Sequence, residues 1–386
     1  MKLAVIGAGV LGLMSALELH KRGHEVVIYD KTGPFAEASQ RSFAWLNANN
    51  KLPEEYSLLN TEGIKAHRRF QEEHAHGGVW FHQPGCVMVD FNDGAKATYK
   101  KRIETSQSVG YPVKHIRQPE LKDLEPSINW EDACDGGLLF TDEGYLDNDL
   151  LGQFLVNELK RLDVKVVIEE VLKVTPSPNG ANLVTSVGEY IFDKVLIAAG
   201  AHSGVLAENS GFQLPVHNLN DASSITHSFL GLTEPTNIDI RHVVITDRFN
   251  ARPRHDGRMW IQVPKEEPKA SRPHNDELLA EVKREMQSAI ASAFGQPIAV
   301  EKLILSGRSL PADGLPIVGP LDDAKTVFGL VMHSGMTMAA LMAQLISDEL
   351  DGKPSQMLEK FRPQRFADGI PEPEVEVFNA YYLGKQ

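Results

Sequence analysis

The chain has 386 residues, of which 42% are hydrophobic and 24% are charged, a composition typical of a soluble globular protein long enough to form two domains. Its formal net charge of −13 argues against nucleic-acid binding, which favours a basic face, and a small anionic substrate would need local cations. The sequence contains no apolar run of about eighteen residues, so we predict no integral membrane segment.

The cysteine and histidine residues do not follow the spacings of a metal site. Cys86 and Cys134 form no CxxC pair, which favours free thiols in a reducing compartment, and we predict a cytoplasmic protein. The densest histidine group, His74, His76 and His82, lies in a polar stretch without a cysteine or a paired carboxylate motif. We therefore predict solvated or packed histidines and no metal.

The N-terminal stretch from Ala4 to Leu19 carries a single charge, so a signal peptide or a membrane anchor has to be considered. Three glycines, Gly7, Gly9 and Gly12, interrupt it at G-x-G-x-x-G spacing, and a second apolar strand follows directly. The stretch is also too short and too rich in glycine to span a bilayer as a helix. Its periodicity instead predicts a strand–turn–helix–strand unit over residues 2–30.

This unit has the features of a dinucleotide site. Gly7 permits the turn out of the strand, Gly9 lets a pyrophosphate approach the backbone, and Gly12 lets the helix pack closely on the sheet. The helix N-terminus offers unpaired N–H groups to phosphates, and Asp30, at the end of the second strand, suits a ribose hydroxyl. The motif alone does not separate NAD from FAD.

The remaining elements are predicted from hydrophobic periodicity and turn residues. In chain order they are a helix over 54–76, a strand over 85–90, a helix over 98–108, a possible short helix within 118–128, a strand and turn over 136–147, a helix over 148–162, a strand over 164–174, two strands within 189–204, short β-type runs between 214 and 263, a charged loop over 264–276, a helix over 276–294, a strand over 327–332 and a helix over 336–350.

The order of these elements predicts an α/β fold in which one domain is threaded through another. We predict a discontinuous Rossmann-type, nucleotide-binding domain and a β-rich, antiparallel-sheet domain. The first comprises residues 1–78, 145–215 and 306–386, and the second comprises residues 79–144 and 216–305.

Five separate stretches resemble, in order, motifs of the FAD-dependent D-amino-acid oxidase family, in the broad sense that includes glycine oxidase, sarcosine oxidase and D-amino-acid dehydrogenase. They are VIGAGVLG with Asp30, GYLDNDLLGQFLVNELKRLDVKVVIEEVLKV, KVLIAAGAHSGVL with His202 in place of a tryptophan, GRSLPADGLPIVGP and HSGMTMAALMAQLISDEL. The resemblance spans nearly the whole chain and implies FAD as the cofactor. It also implies that the Rossmann-type domain is the FAD-binding domain and that the β-rich domain binds the substrate. No second G-x-G-x-x-G follows a strand in the middle of the chain, which suggests that electrons enter from the substrate.

The resemblance implies a set of cofactor-binding residues, namely Gly7, Gly9, Val10, Leu11, Gly12, Asp30, Lys31, Ser39, Arg41, Ser42, Val171, Ala199, Gly200, Arg308, Ser334, Gly335, Met336, Thr337 and Met338. Two groups of these residues also have an alternative interpretation. Residues 39–42 also suit a solvated polar loop, and residues 334–338 also suit an ordinary helix start capped by Ser334. Some relatives attach FAD through a cysteine where this chain has Ser306, so we expect non-covalent FAD.

Arg308 and His333 are the predicted catalytic residues. Arg308 lies five residues before Asp313, which in glycine oxidases of the family is the spacing of the arginine that binds the substrate carboxylate. A guanidinium suits this task because it is always charged and can bind a carboxylate through two N–H groups. A structural salt bridge, or stacking near the flavin, is the alternative for Arg308. His333 either lies near the flavin ring or is a packed residue.

Trp45, Asn47 and His217 are further candidates for substrate contacts. Trp45 stands where the family commonly has a small residue, so it either narrows the site or forms an aromatic wall. His217 belongs to a segment, 214–227, that departs from the family pattern at Asn220 and Asp221 as well.

Arg252 and Arg254 have two interpretations: they face the substrate cavity, or they flank a hairpin turn at 256–257. The hairpin is the preferred interpretation.

The resemblance implies an enzyme that oxidises the C–N bond of an amino acid or related amine. Hydride would pass to flavin N5, the imine would hydrolyse, and oxygen, a quinone or another carrier would accept the electrons. The alternatives are a flavoenzyme for a secondary amine, an opine or a 2-hydroxy acid, or a non-catalytic FAD-binding subunit. An oligomer is possible, with the tail FNAYYLGKQ as a candidate interface.

Overall fold

The computed structural model describes residues 1–92, 94–220, 226–271 and 273–370. Asp221 and the tail FNAYYLGKQ, both singled out from the sequence, lie outside the described residues. The described strands are β1 (Lys2–Ile6), β2 (Glu25–Asp30), β3 (Trp45–Leu46), β4 (Phe81–His82), β5 (Cys86–Val89), β6 (Lys114–Ile116), β7 (Gly137–Phe140), β8 (Gly144–Leu146), β9 (Lys165–Ile168), β10 (Val171–Ser177), β11 (Gly180–Thr185), β12 (Glu189–Phe192), β13 (Lys194–Ile197), β14 (His227–Thr233), β15 (Val243–Thr246), β16 (Asn250–Pro253), β17 (Met259–Gln262), β18 (Val300–Gly307), β19 (Ile317–Pro320) and β20 (Val327–Val331).

The described helices are α1 (Val10–Lys21), α2 (Glu54–Glu73), α3 (Ala95–Ser108), α4 (Gln118–Leu124), α5 (Asn148–Arg161), α6 (Ser203–Asn209), α7 (Asp276–Phe294) and α8 (Gly335–Leu350). Short 3₁₀ helices lie at Ala75–Gly77, Gly200–His202, Pro264–Lys269, Gln356–Phe361 and Pro363–Phe366.

A six-stranded sheet with the order β19-β20-β13-β1-β2-β9 forms the nucleotide-binding part of the fold. Its strands pair in parallel from β20 to β9, and β19 pairs antiparallel with β20 at one edge. Strands β1 and β13 are apolar because both faces of the sheet are covered. The carboxyl ends of β1, β2 and β13 lie side by side, which is where ligands bind in open α/β sheets. The predicted Rossmann-type α/β fold is confirmed.

An eight-stranded sheet with the order β18-β14-β17-β16-β15-β5-β7-β6 forms the second layer. Its pairs are antiparallel, as the sequence predicts, except for β5 and β15, which pair in parallel. Those two strands come from separate parts of the chain, so no hairpin fixes their direction. Helix α7 covers this sheet through the fully buried Val282, Met286 and Ile290. The exact domain boundaries stay a prediction.

One predicted strand is wrong. Residues 164–174 form two strands, β9 and β10, that belong to different sheets. Glu169 and Glu170 separate them, and the Glu169 carboxylate accepts a hydrogen bond from Thr185 Oγ1 at 2.6 Å. Periodicity alone did not show the break because apolar residues continue on both sides of the two glutamates.

The turn between β1 and α1 is packed backbone against backbone. Gly7 has a φ of 104°, and a Cβ there would lie 2.3 Å from the carbonyl oxygen of Ala198. A Cβ on Gly12 would lie 1.9 Å from the Gly7 carbonyl oxygen. Both glycines are therefore required by the close approach of α1, β1 and β13, whatever ligand binds beside them.

We expect Gly12→Ala to lower the free energy of unfolding by about 2–3 kcal/mol, because the added methyl group collides with backbone that cannot move independently. Urea unfolding of the FAD-free protein measures this packing effect without a contribution from ligand binding.

Gly188→Ala is the matched control. The nearest heavy atom to its added Cβ would be 3.6 Å away, so we expect a change within about 0.5 kcal/mol. Equal stability of the two variants would contradict the packing argument.

Candidate functional site

A cavity of about 820 Å³ is lined by the β1–α1 turn at one end and by the ends of β14 and β18 at the other. Most site residues predicted from the sequence lie in its wall, although they come from distant parts of the chain. They are Gly7, Gly9, Val10, Leu11, Asp30, Lys31, Ser39, Arg41, Ser42, Trp45, Asn47, Val171, Ala199, Gly200, Arg308, His333, Ser334, Gly335 and Met336.

Four predicted residues, Gly12, His217, Thr337 and Met338, lie outside the cavity lining. Gly12 faces the Gly7 backbone, so its role is helix packing. The buried Thr337 and Met338 lie on the inner side of α8, where Thr337 Oγ1 is 3.5 Å from the Trp45 carbonyl oxygen.

His217 is held by backbone contacts outside the cavity lining. Its backbone N–H donates to the Leu310 carbonyl at 2.8 Å, beside the bridge between Val216 and Pro311. The next residues, Asn218, Leu219 and Asn220, line the cavity instead. The segment predicted from the sequence therefore lines the cavity through the residues after His217, and a substrate contact of His217 itself stays a prediction.

The start of α1 presents backbone N–H groups at one end of the cavity. The Val10 N–H donates to Ser39 Oγ at 2.9 Å, and the absent side chain of Gly9 leaves this helix end open. Asp30 Oδ2 accepts the Ala8 N–H at 2.7 Å, and its Oδ1 accepts the Gly33 N–H at 2.9 Å. Asp30 therefore fixes both loops around the helix end, where an anion is favoured.

Apolar side chains, next to Glu169 and Glu170, form part of the cavity wall on the side of Asp30. Val171, Leu172 and Val205 line this part, and Leu172 and Val205 are 44% and 47% exposed. An apolar edge next to an open helix N-terminus is the arrangement that a flat base joined to a pyrophosphate requires. The residues present therefore fit the dinucleotide cofactor that the sequence motif predicts.

The loop over residues 39–43 is held from behind by Asn148. Its Nδ2 lies within hydrogen-bond distance of the carbonyl oxygens of Ser39, Gln40 and Ser42, at 3.1, 3.2 and 2.8 Å. The loop is therefore a built wall of the cavity rather than a freely solvated segment. No sequence pattern marked Asn148, because it reads as an ordinary residue at a helix start.

Arg252 and Arg254 lie outside the cavity lining, which supports the hairpin interpretation. Arg252 is fully buried and donates to the Phe43 carbonyl and, at 3.2 Å, to Asn148 Oδ1. Arg254 pairs with the carboxylates of Asp149 and Asp256. Both arginines thus link the eight-stranded sheet to α5 and the loop in front of it.

The N-terminus of α8 forms another part of the wall through Gly335 and Met336. Ser334 occupies the N-cap position, but its hydroxyl is 2.7 Å from Tyr56 Oη and does not cap the helix. The capping alternative for Ser334 is therefore wrong. The Met336 carbonyl accepts a hydrogen bond from Nε2 of the buried His67 at 2.8 Å.

His333 lines the cavity next to this helix start. Burial, assisted by the positive charges of Arg308 and Lys51, lowers the pKa of His333 to about 3. The imidazole is therefore neutral near pH 7. It can accept or donate a hydrogen bond there but does not supply a cation.

Trp45 lines the cavity, and its contact with a substrate stays a prediction. It is 4% exposed, and its Nε1 donates to Glu143 Oε2 at 2.9 Å. Glu143 Oε1 also accepts from Asn49 Nδ2 at 2.6 Å, and Arg102 Nη1 donates to Asn49 Oδ1 at 2.6 Å. Burial raises the pKa of Glu143 to about 7. In sequence Glu143 was only an acidic turn residue, so nothing singled it out.

Arg308 lines the opposite end of the cavity, directly after β18. Its Nη2 is 2.7 Å from Glu267 Oε2, so the salt bridge that was the alternative to substrate binding is present. Arg308 also lines the cavity, so its salt bridge with Glu267 does not exclude a role in substrate binding. Asp313, the reference residue of the motif, instead pairs with Arg365 at 2.7 and 3.0 Å.

Three polar residues near Arg308 escaped the sequence analysis: His227, Ser228 and Gln262 line this end of the cavity. They lie on β14 and β17, which the sequence showed only as short β-type runs. Which face of such a strand meets a ligand depends on the neighbouring layer, so no local signal could have identified them.

Ser306, at the position where some relatives attach FAD, lines the cavity, whereas Cys86 is buried and Cys134 is exposed outside its lining. Within the described ranges, no group of three or more histidine, cysteine, aspartate or glutamate side chains could hold a metal ion. In the same part of the chain, no helix combines the length and apolarity needed to cross a membrane.

We expect the stability of the protein to fall between pH 7 and pH 5 partly because of His67. Burial lowers the pKa of His67 from 6.5 to about 4, so the unfolded chain binds a proton at pH 5 that the folded chain does not. The stabilisation is thus present above pH 6.5 and is lost toward pH 4. Over this interval the free energy of unfolding of the wild type should fall by roughly 2 kcal/mol more than that of His67→Gln.

Glutamine keeps a donor for the Met336 carbonyl but does not titrate, and urea unfolding at the two pH values measures the difference. His115→Gln, which replaces an exposed histidine, provides the baseline. An equal fall in the free energy of unfolding of the wild type and His67→Gln between pH 7 and pH 5 would contradict the expectation.

Comparison with known proteins agrees with the geometry. The chain is 22% identical to a D-amino acid dehydrogenase of Rhizobium rhizogenes over 92% of this chain and 97% of the relative. It is 23% identical to a glycine oxidase of Pseudomonas aeruginosa over 91% of this chain and 95% of the relative. The crystal structure of glycine oxidase from Geobacillus kaustophilus has the same fold, with a TM-score of 0.82 and 18% identity over 94% of this chain and 98% of that chain.

The family model described as FAD dependent oxidoreductase matches residues 2–349. The match covers the glycine turn, the loop behind Ser39, Arg308 and nearly all of α8. The protein belongs to the family of FAD-dependent oxidoreductases.

Proposed function

We propose that the protein oxidises the C–N bond of an amino acid or a related amine, as an FAD-dependent oxidase or dehydrogenase. The observation that carries the proposal is the presence of Arg308 in the same cavity as the dinucleotide-binding turn and the N-terminus of α8. The similarity to a D-amino acid dehydrogenase and to glycine oxidases supports it.

FAD bound at the β1–α1 turn and the N-terminus of α8 would supply the two-electron chemistry of the oxidation, as a hydride acceptor. The chain itself supplies binding and orientation. Arg308 binds the substrate carboxylate, and the positive end of α8 stabilises negative charge at the site. His333 stays neutral near pH 7 and therefore does not act as a second cation beside Arg308.

The apolar part of the wall excludes water from this end of the cavity. Trp45 is held by Glu143, and the buried Leu230 and Met332 line the same space. The substrate can then be oriented by the carboxylate at one end and by the aromatic wall beside it. The imine product hydrolyses in water to a keto acid or an aldehyde and an amine. The electrons leave to oxygen, a quinone or another carrier.

The first experiment is a visible spectrum of the purified protein under anaerobic conditions with glycine, D-amino acids, L-amino acids and N-methyl amino acids. We expect flavin absorbance that bleaches with at least one of these compounds. Bleaching with a 2-hydroxy acid alone would contradict the proposed C–N chemistry. Flavin absorbance that no compound bleaches would favour a non-catalytic subunit instead.

We expect Arg308→Leu to raise the apparent KM for a carboxylated amine by about 10- to 100-fold, because hydrogen bonds to a charged group contribute about 1.5–3 kcal/mol. Arg308→Lys keeps the charge but loses the planar fork, so its KM should rise less. Steady-state kinetics with the FAD-loaded enzyme measure both changes.

Arg248→Leu removes an exposed arginine that pairs with Asp132 and serves as the control. Its KM should match that of the wild type. An unchanged KM for Arg308→Leu would remove Arg308 from substrate binding.

A further inference from the structure

Glu267 lies directly behind Arg308. Its Oε2 is 2.7 Å from Arg308 Nη2, and the two side chains are 15% and 23% exposed. Arg308 lines the cavity, whereas Glu267 lies outside its lining. The carboxylate therefore approaches the guanidinium from the protein side and leaves the cavity side to a ligand.

The carboxylate of Glu267 is itself fixed by several donors. Ser228 Oγ donates to Glu267 Oε1 at 3.0 Å, and Gln262 Nε2 donates to Ser228 Oγ at 3.1 Å. The backbone of Phe229 also hydrogen-bonds to the Glu267 carboxylate. These donors lie on β14 and β17. The eight-stranded sheet therefore fixes the position of the Glu267 carboxylate, which accepts the hydrogen bond from Arg308.

The backbone that carries Glu267 is anchored to α7. Glu267 belongs to the 3₁₀ helix Pro264–Lys269, and the adjacent Glu266 accepts from Lys269 Nζ at 2.8 Å. Lys269 Nζ also lies 2.6 Å from Glu281 Oε1 on α7. Glu266 and Glu267 thus have different partners. Glu266 holds the segment on α7 through Lys269, whereas Glu267 pairs with Arg308.

An arginine side chain loses considerable rotamer freedom when a ligand fixes it, and a side chain that is already fixed loses less. Glu267 engages Nη2 of Arg308, while a guanidinium has five N–H donors in a planar fork. Donors therefore remain for a second carboxylate. Glu267 also balances the Arg308 charge, which lies close enough to His333 to lower the pKa of that imidazole.

We infer that Glu267 is a positioning residue, which holds the Arg308 guanidinium in place for the carboxylate of the substrate. The inference rests on the proposed role of Arg308 in binding the substrate carboxylate. It adds that Glu267 sets the orientation of the Arg308 guanidinium. Glu267 does not touch the substrate itself.

The test uses acetate, a carboxylate that has no amine to oxidise, titrated into the FAD-loaded enzyme and followed by the change in flavin absorbance. We expect Glu267→Leu to raise the acetate dissociation constant about tenfold, because Arg308 is then free to adopt other rotamers. Glu267→Gln keeps an acceptor for Arg308 and should raise the constant about threefold. Glu131→Gln, which changes an exposed glutamate outside the cavity lining, should leave it unchanged.

The kinetic expectation is equally specific. With a carboxylated amine, Glu267→Leu should raise KM with little change in kcat, and the KM for the same amine without its carboxylate should stay constant. In an Arg308→Leu background, Glu267→Leu should have no further effect on acetate binding. A purely structural salt bridge would lower thermal stability without this dependence on the carboxylate or on Arg308.

The outcomes separate the two proposals. Acetate binding that Arg308→Leu does not weaken would remove Arg308 from carboxylate recognition, and the proposed substrate class would fail with it. Acetate binding that Arg308→Leu weakens, but that Glu267→Leu and Glu267→Gln leave unchanged or strengthen, would overturn the role of Glu267 alone. Strengthened binding would show that Glu267 competes with the ligand for Arg308.

Discussion

The structure depends on the backbone contact between the β1–α1 turn and β13. Gly7 and Gly12 let α1 approach the sheet so closely that a methyl group at either position would overlap backbone atoms. This contact sets the direction of α1, and therefore the place where its unpaired N–H groups meet the cavity. Asp30 then ties the turn to the loop after β2, so the shape of this end of the cavity is set by the protein's own hydrogen bonds.

Two acidic side chains outside the cavity lining pair with residues that line the cavity. The protein is strongly acidic, and Arg308, the cation at the end of the cavity away from the glycine turn, is matched by Glu267. On the other wall, Glu143 holds Trp45 while burial raises its pKa. Each buried carboxylate thus has hydrogen-bond donors that offset part of its desolvation. The two walls of the cavity are fixed by acidic residues that lie outside its lining.

The two layers of the fold meet at the loop over residues 39–43. Asn148 binds three of its carbonyl groups, and Arg252 reaches Phe43 from the eight-stranded sheet. This loop, which lines the cavity, is therefore held by side chains from both layers.

Much of the fold was predictable from the sequence because local patterns carry it. The N-terminal unit, α2, α5, α7 and α8 follow from apolar periodicity and agree with the structure within a few residues. The break between β9 and β10 was not visible, since it depends on how Glu169 bonds to Thr185. The direction of β15 beside β5 was not visible either, because pairing between distant strands leaves no local trace.

The sequence by itself determined the family, the cofactor turn and the segments that line the cavity, because glycine spacing and motif order are properties of the chain. Tertiary structure decided which side chains face the cavity. It placed Asn218, Leu219 and Asn220 there rather than His217, and it turned Thr337 and Met338 into the core. It also paired Arg308 with Glu267 and Trp45 with Glu143, residues 41 and 98 positions apart. Such pairs are set by the packing of separate layers, and no local sequence pattern specifies them.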